Sequence, residues 1–311
     1  MNMYGSKVVG WGAALPDEVV TNKDFEARLE TNDAWITERT GIKERRMGGT
    51  TSSLAVEAAQ KALANAGLQP SDIGLLVLST TTPEQTVPAT SGTIQAQLGL
   101  TCGAFDINAA CAGFVYGLVV GHSMIATGTE RVLVIGSDTL SKITDQQDRS
   151  TAVLFADGAG AVILERTAPE DNAVLGWDLG VDGSLVPILY CDHGGYLKME
   201  GREVFKRAVL AMVSSAKTAM ERAGVTADDI ALVVPHQANI RIIEAANNRL
   251  GLSMEKTAIV LDTTGNTSSG SVPLALSAAV EKGMVNPGEY ILFSGFGAGM
   301  TWASAVVRWG K

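Results

Sequence analysis

Several apolar runs in the 311-residue chain lack the polar alternation of a half-exposed strand, among them Leu75-Leu76-Val77-Leu78, Val132-Leu133-Val134-Ile135 and Leu232-Val233-Val234. Runs of this kind predict strands covered on both faces. Between them the spacing changes. Ser52 to Ala66 carries apolar residues at helical intervals, and Thr21-Asn22 caps a short helix through Asp24-Phe25-Glu26. Lys7 to Trp11 opens the chain as a strand, and Tyr290–Phe293 and Trp302–Val307 read as two more. Strands alternating with helices predict an α/β protein. The longest stretch without Asp, Glu, Lys or Arg, Ile107 to Thr129, is long enough to raise a membrane question. Its Asn108, His122, Ser123, Thr127 and several glycines predict instead a helix buried inside a soluble core.

An internal repeat sets the architecture. Residues 62–77 read ALANAGLQPSDIGLLV and residues 219–234 read AMERAGVTADDIALVV. In both copies a helix ends on glycine, Gly67 or Gly224, and an Asp-Ile pair, Asp72-Ile73 or Asp229-Ile230, leads into a buried strand. Weaker echoes keep the order: QLGL at 97–100 with RLGL at 249–252, and VLVIG at 132–136 with ILFSG at 291–295. Three spacings in register argue for duplication. The predicted body is two similar halves, residues 1–166 and 167–311, packed as layers α/β/α/β/α about a pseudo-twofold. No Pro/Ser-rich linker near 165–175 would let them move freely.

Hydrophobic residues make up 46% of the chain and charged residues 18%, which excludes a disordered chain. The formal net charge of −9 leaves no broad basic face for nucleic acid. Two local clusters, Arg39/Lys43/Arg45/Arg46 and Lys206/Arg207, are either a landing place for a small acidic partner or ordinary solvated surface. Three cysteines leave one unpaired, and the chain opens without a leader-like segment, so a reducing cytoplasm is expected.

Cys111, in DINAACAGF at 106–114, follows a short strand over Ala104–Asp106 and precedes an apolar helix. The positive end of that helix favours thiolate and is expected to lower the thiol's pKa; the alternative is a buried, inert cysteine. Of the three histidines, His122 lies three turns along the same helix and cannot reach its start. His193 with Cys191 is too small a set for a closed zinc site and reads as an exposed loop. His236 emerges directly after the repeat strand, where open α/β sheets collect ligands. Asn266 stands in the turn GNTSSG entering a helix. A satisfied structural histidine and a turn or cap asparagine remain open for these two. The glycine-rich loop Ser294–Trp302 could hold an oxyanion on its backbone N–H groups. It is not a dinucleotide fingerprint, since its spacing is G-x-G-x-G and a strand follows.

Together DINAACAGF, VPHQAN at 234–239, GNTSSGSVP at 265–273 and GFGAGMTW at 295–302 resemble the β-ketoacyl-acyl-carrier-protein synthase III family, of thiolase-like fold. The likeness extends through DAWITERTGIKERR at 33–46, DRSTAVLFADGAGA at 148–161 and GREVFKRAV at 201–209. It implies a Cys111–His236–Asn266 triad that takes an acyl group from an acyl-CoA and condenses it with malonyl-acyl carrier protein, losing carbon dioxide, to initiate fatty acid or related synthesis. It further implies an oxyanion site on the backbone N–H groups of Cys111 and Ala298, with Phe296 shielding the pocket from water. Trp35, Arg39 and Arg149 would sit around the CoA adenine and phosphates, Phe205 and Asn239 along the pantetheine tunnel, and Arg241 at the carrier protein. A homodimer is implied, with no metal and no cofactor, acyl-CoA being a substrate.

Two places depart from the family. Val87 stands where relatives can carry a bulky aromatic that closes the acyl pocket across a dimer, so a longer or branched primer is expected to fit. The stretch Val186–Glu200 at the rim of the CoA entrance is short and idiosyncratic. Thiolases need a second, C-terminal cysteine, and none follows Cys191; elongating synthases pair the cysteine with two histidines, where this chain has Asn266. A relative that acylates a hydroxyl or amine without decarboxylation, or a non-catalytic acyl-CoA binder, are the other readings.

Overall fold

A computed structural model describes residues 3–310. Two sheets carry the fold. The first runs in the order Gly5–Ala14, Asp157–Thr167, Arg131–Thr139, Leu75–Ser79, Gly103–Ile107. The second runs Val174–Val181, Thr301–Arg308, Tyr290–Gly297, Ile230–Pro235. Taken in this direction the two match strand for strand: two antiparallel pairings, then a parallel one. The strands ending the two sequence repeats, Leu75–Ser79 and Ile230–Pro235, occupy equivalent places, and so do those of VLVIG and ILFSG. The fifth strand of the first sheet, parallel to Leu75–Ser79, has only a remnant in the second, a single parallel bridge between Val233 and Thr257.

Between the sheets lie the helices Gly113–Ala126 and Ser271–Glu281, whose Phe114, Leu118, Val272 and Leu276 join both sheets in one core, with Phe293 of the strand Tyr290–Gly297 packed among them. Both helices are apolar nearly all round, as a central layer requires. Thr51–Ala66 covers the outer face of the first sheet with a stripe of alanines and leucines, and Gly201–Ala223 covers that of the second. Thr50 caps the former through the Ser53 N–H, and both end on left-handed glycines, Gly67 and Gly224, at φ +67° and +69°. The expected five layers result. The apolar stretch read as a buried helix is the Gly113–Ala126 layer, and no described helix is long and apolar enough to cross a membrane.

Two expectations change. Arg45 leaves the surface cluster: it is fully buried, stacks on Phe25 at 4.6 Å, and donates to Asn22 Oδ1 at 2.6 Å and to the Val153 carbonyl. Burial lowers its pKa to about 10. It braces the segment carrying Trp35 rather than meeting a partner. The glycine-rich stretch is also no simple loop: strand continues through Gly297, pairing with Thr301, and only Ala298–Met300 turns.

Candidate active site

Cys111 and His236 each follow the carboxyl end of a parallel strand, one in each sheet. Cys111 lies in the turn Ala110–Ala112 that runs into the helix Gly113–Ala126. Ala110 before it has φ +46°, strained for a residue with a Cβ. Its N–H is held by Asn108 Oδ1 at 3.1 Å, and Thr301 Oγ1 fixes the neighbouring Ala109 carbonyl at 2.9 Å. The second half presses close at Gly297, where a Cβ would stand 2.5 Å from the Cys111 nitrogen. No side chain fits there.

His236 is buried, its N–H on the Ser294 carbonyl at 2.8 Å and its ring edge-on to Phe296 at 5.4 Å between centroids. Its Nδ1 meets Ser271 Oγ at 2.7 Å. The next residue, Gln237, is a fully engaged buried amide: Nε2 donates to the Pro235 and Ala258 carbonyls, and Oε1 accepts from the Val260 and Leu261 N–H groups. It clasps the chain leading to Asn266 against the strand leading to His236. Asn266 bridges to the first half, its backbone exchanging hydrogen bonds with Leu154 and Ala156 at 2.9 Å each. Its Oδ1 accepts from the Ser268 N–H at 2.9 Å, and among the described residues its Nδ2 makes no hydrogen bond.

Cys111, His236 and Asn266 line a single cavity of about 140 Å³, together with Phe296 and Gly297. Phe205 and Asn239 also line it. Asn239 is largely occupied by the protein itself, capping the helix Ile240–Leu250 through the Arg241 N–H and donating to the Arg39 carbonyl. Arg241 is exposed beside the cavity, 5.8 Å from the Phe205 ring. Trp35 is flanked by the guanidinium groups of Arg39 at 5.3 Å and Arg149 at 5.1 Å. Ala298 directly follows the lining Gly297. Val87 lies outside the cavity, 82% exposed in the single chain. His122 is away from the site, bonded to Ser6 and edge-on to Trp177, and His193 is exposed.

The cysteine's electrostatics differ from the expectation. Burial pushes the Cys111 thiol up to about 12, and the Asp138 carboxylate pushes the same way. The Ser268 hydroxyl, buried and without a hydrogen-bond partner of its own, acts on the sulfur in the opposite direction. The helix end behind Cys111 is outweighed because a thiolate in this narrow, mostly apolar cavity would lose much of its hydration, even though the residue itself is only half-buried. Burial likewise lowers His236 to about 3, so the imidazole is neutral at working pH. Alkylation of Cys111 by iodoacetamide, followed by peptide mass spectrometry to separate it from Cys102 and Cys191, is therefore expected to accelerate steadily with pH to at least 9. A plateau below pH 8 would mean that the helix end wins.

Several residues escaped sequence reading. Asp138, fully buried, accepts from Thr80, Thr81 and Thr82 on one oxygen and from the Ser269 N–H and hydroxyl on the other, the shortest contacts being 2.7 Å. It ties the first half to the Asn266 turn. Its only local signal is a polar residue just past the apolar run VLVIG, at a strand's carboxyl end. Leu189 and Met199, on a small hairpin within the idiosyncratic rim stretch, line the cavity and had no sequence signal at all. Among the described residues no cluster of three or more His, Cys, Asp or Glu could hold a metal ion.

The family of 3-oxoacyl-[acyl-carrier-protein] synthase III matches residues 105–183, and its C-terminal counterpart matches 220–309. A β-ketoacyl-[acyl-carrier-protein] synthase III of Ruegeria sp. (strain TM1040) is 46% identical over 97% of this chain and 98% of its own. Among solved structures, 3-oxoacyl-[acyl-carrier-protein] synthase III from Aquifex aeolicus VF5 superposes with a TM-score of 0.96 at 43% identity, covering 98% of this chain and all of that one. The priming β-ketosynthase of the R1128 polyketide biosynthetic pathway superposes with a TM-score of 0.95 at 35% identity, over all of this chain and 98% of that one.

Proposed function

The chain belongs to the β-ketoacyl-acyl-carrier-protein synthase III family of condensing acyltransferases, and from that premise we propose that Cys111, His236 and Asn266 divide its reaction between them. The observation that carries the reading is their meeting in one cavity from two duplicated halves, which we take as residues 1–166 and 167–311.

In the first half-reaction the Cys111 sulfur attacks the thioester carbonyl of an acyl-CoA. A carbon–sulfur bond forms to Cys111, the bond to CoA breaks, and the proton lost by the thiol is balanced by one gained by departing CoA. The N–H groups of Cys111 and Ala298 receive the oxyanion. Malonyl-acyl carrier protein then enters. Its carbon–carboxylate bond breaks, carbon dioxide leaves, and the electron pair moves onto the thioester as an enolate, held by donors from neutral His236 and Asn266. The enolate carbon attacks the acyl-cysteine, and Cys111 leaves and takes up a proton. The low pKa of His236 supports this role, because a neutral ring offers a donor without supplying a proton to quench the enolate.

Phe296 closes the cavity to water, and Trp35, Arg39 and Arg149 offer a π-cation stack suited to an adenine and its phosphates. Phe205 and Asn239 line the pantetheine path, and Arg241 at the mouth meets an acidic carrier protein. In a homodimer Val87 would reach the partner's acyl pocket, its small side chain admitting longer or branched primers. The reaction needs no cofactor, and a cytoplasmic setting suits three free cysteines.

Intact mass spectrometry after acetyl-CoA treatment is expected to show one acetyl adduct, mapped to Cys111, and malonyl-acyl carrier protein added next should release carbon dioxide and a 3-oxoacyl product. An adduct that passes to a hydroxyl or amine without carbon dioxide would replace condensation by simple acyl transfer.

A further inference from the structure

We propose that Ser271 is a positioning residue that sets the tautomer of His236, holding its ring proton on Nε2, toward the cavity. The proposal rests on the condensation role given to His236 above, and it follows from hydrogen-bond accounting at one buried oxygen. Ser271 Oγ lies 2.7 Å from His236 Nδ1 and 3.2 Å from the Gln237 nitrogen, and the residue is 1% exposed. The Gln237 N–H can only donate, so it already uses one lone pair of the hydroxyl.

Two arrangements remain for the hydroxyl proton. If His236 carried its proton on Nδ1, that N–H would be a second donor aimed at Ser271 Oγ. The serine proton would then need an acceptor elsewhere, and among the described residues its oxygen has no other partner. A buried donor would go unpaired, which native structures rarely tolerate. If Ser271 donates to Nδ1 instead, every group is satisfied, and the imidazole proton resides on Nε2. Burial that keeps the ring neutral removes the third possibility, protons on both nitrogens.

The fold makes the arrangement rigid. Ser271 begins the central helix Ser271–Glu281, wedged between the sheets, while the four hydrogen bonds of the Gln237 side chain fix the backbone that presents both the Gln237 N–H and His236. The hydroxyl thus acts through His236 and touches no substrate. One consequence concerns Cys111: an imidazole whose Nε2 already bears a proton cannot accept one from the thiol. His236 is then an electrophilic donor in the second half-reaction and not the base of the first, and the two halves of the reaction should respond differently to loss of Ser271.

The test is nitrogen NMR on protein labelled with 15N-histidine at pH 7, with His236 assigned by the signals missing from His236→Gln. Expected is the neutral Nε2–H form in the wild-type chain and a loss of that preference in Ser271→Ala. In the same variant, acetylation of Cys111 should stay within about threefold of wild type, while carbon dioxide release from malonyl-acyl carrier protein falls by about 100-fold or more, the cost of withdrawing one preorganised donor from a developing oxyanion. Ser271→Thr, which keeps the hydroxyl, should restore both the spectrum and the decarboxylation. A wild-type Nδ1–H form, or an unchanged tautomer in Ser271→Ala, overturns the proposal. If instead His236→Ala keeps full decarboxylation, the condensation role of His236 fails, an outcome the spectra of Ser271 variants would not register.

Discussion

Replacing Cys111 by alanine should abolish acyl transfer from acyl-CoA, with condensation falling by at least about 10⁴-fold, because no other group in the cavity can carry the acyl chain. Of the other two cysteines, Cys191 is exposed and Cys102 packs beside the outer core of the first half, so neither can substitute. The more discriminating readout is what survives. Alanine leaves Asn266, Ser271 and the His236 ring in place, so Cys111→Ala should still release carbon dioxide from malonyl-acyl carrier protein. Loss of both activities in a folded variant would mean that the sulfur also helps hold the malonyl group. Cys111→Ser gives a second check: a serine hydroxyl is far harder to ionise than a thiol already pushed up to about 12, so adduct formation should again be lost.

Asn266→Ala carries the second large effect, in the opposite half of the reaction. The side-chain oxygen is held by the Ser268 N–H, which leaves the Nδ2 donor for the substrate. Removing one preorganised donor to a developing oxyanion typically costs about 100- to 1000-fold, or about 2.7–4 kcal/mol. Condensation should fall by that factor while acetylation of Cys111, followed as the mass adduct, continues. Equal loss in both half-reactions would refute the division of labour. Asn266→Asp provides a control, since it keeps the acceptor to Ser268 but replaces the donor by a second oxygen, and a carboxylate there would repel the enolate. It should be no better than alanine.

Much of the architecture was legible in the sequence because it rests on local rules. Apolar runs without alternation become strands covered on both faces, and glycines after apolar-periodic segments become left-handed helix ends. The repeat around Gly67 and Gly224 told which strands would be equivalent before any pairing was known. The cysteine, histidine and asparagine motifs likewise stood out because each follows or precedes a predicted element at a fixed offset.

The rest depends on groups far apart in the chain. Arg45 reads as one of four surface cations, yet it lies in the interior because Asn22, Phe25 and the Val153 carbonyl satisfy it there. Cys111 sits at a helix start, which by local reasoning lowers its pKa, while the second half closes over it at Gly297 and desolvation raises it. Asp138 carries no motif and Ser271 is one serine among several in GNTSSGSVP, and their meaning comes from partners 131 and 35 residues distant. Local sequence sets backbone shape and which face is apolar, because those depend on near neighbours. Burial, hydrogen-bond partnership and ionisation are collective, and they take their values only when the two halves are packed against each other.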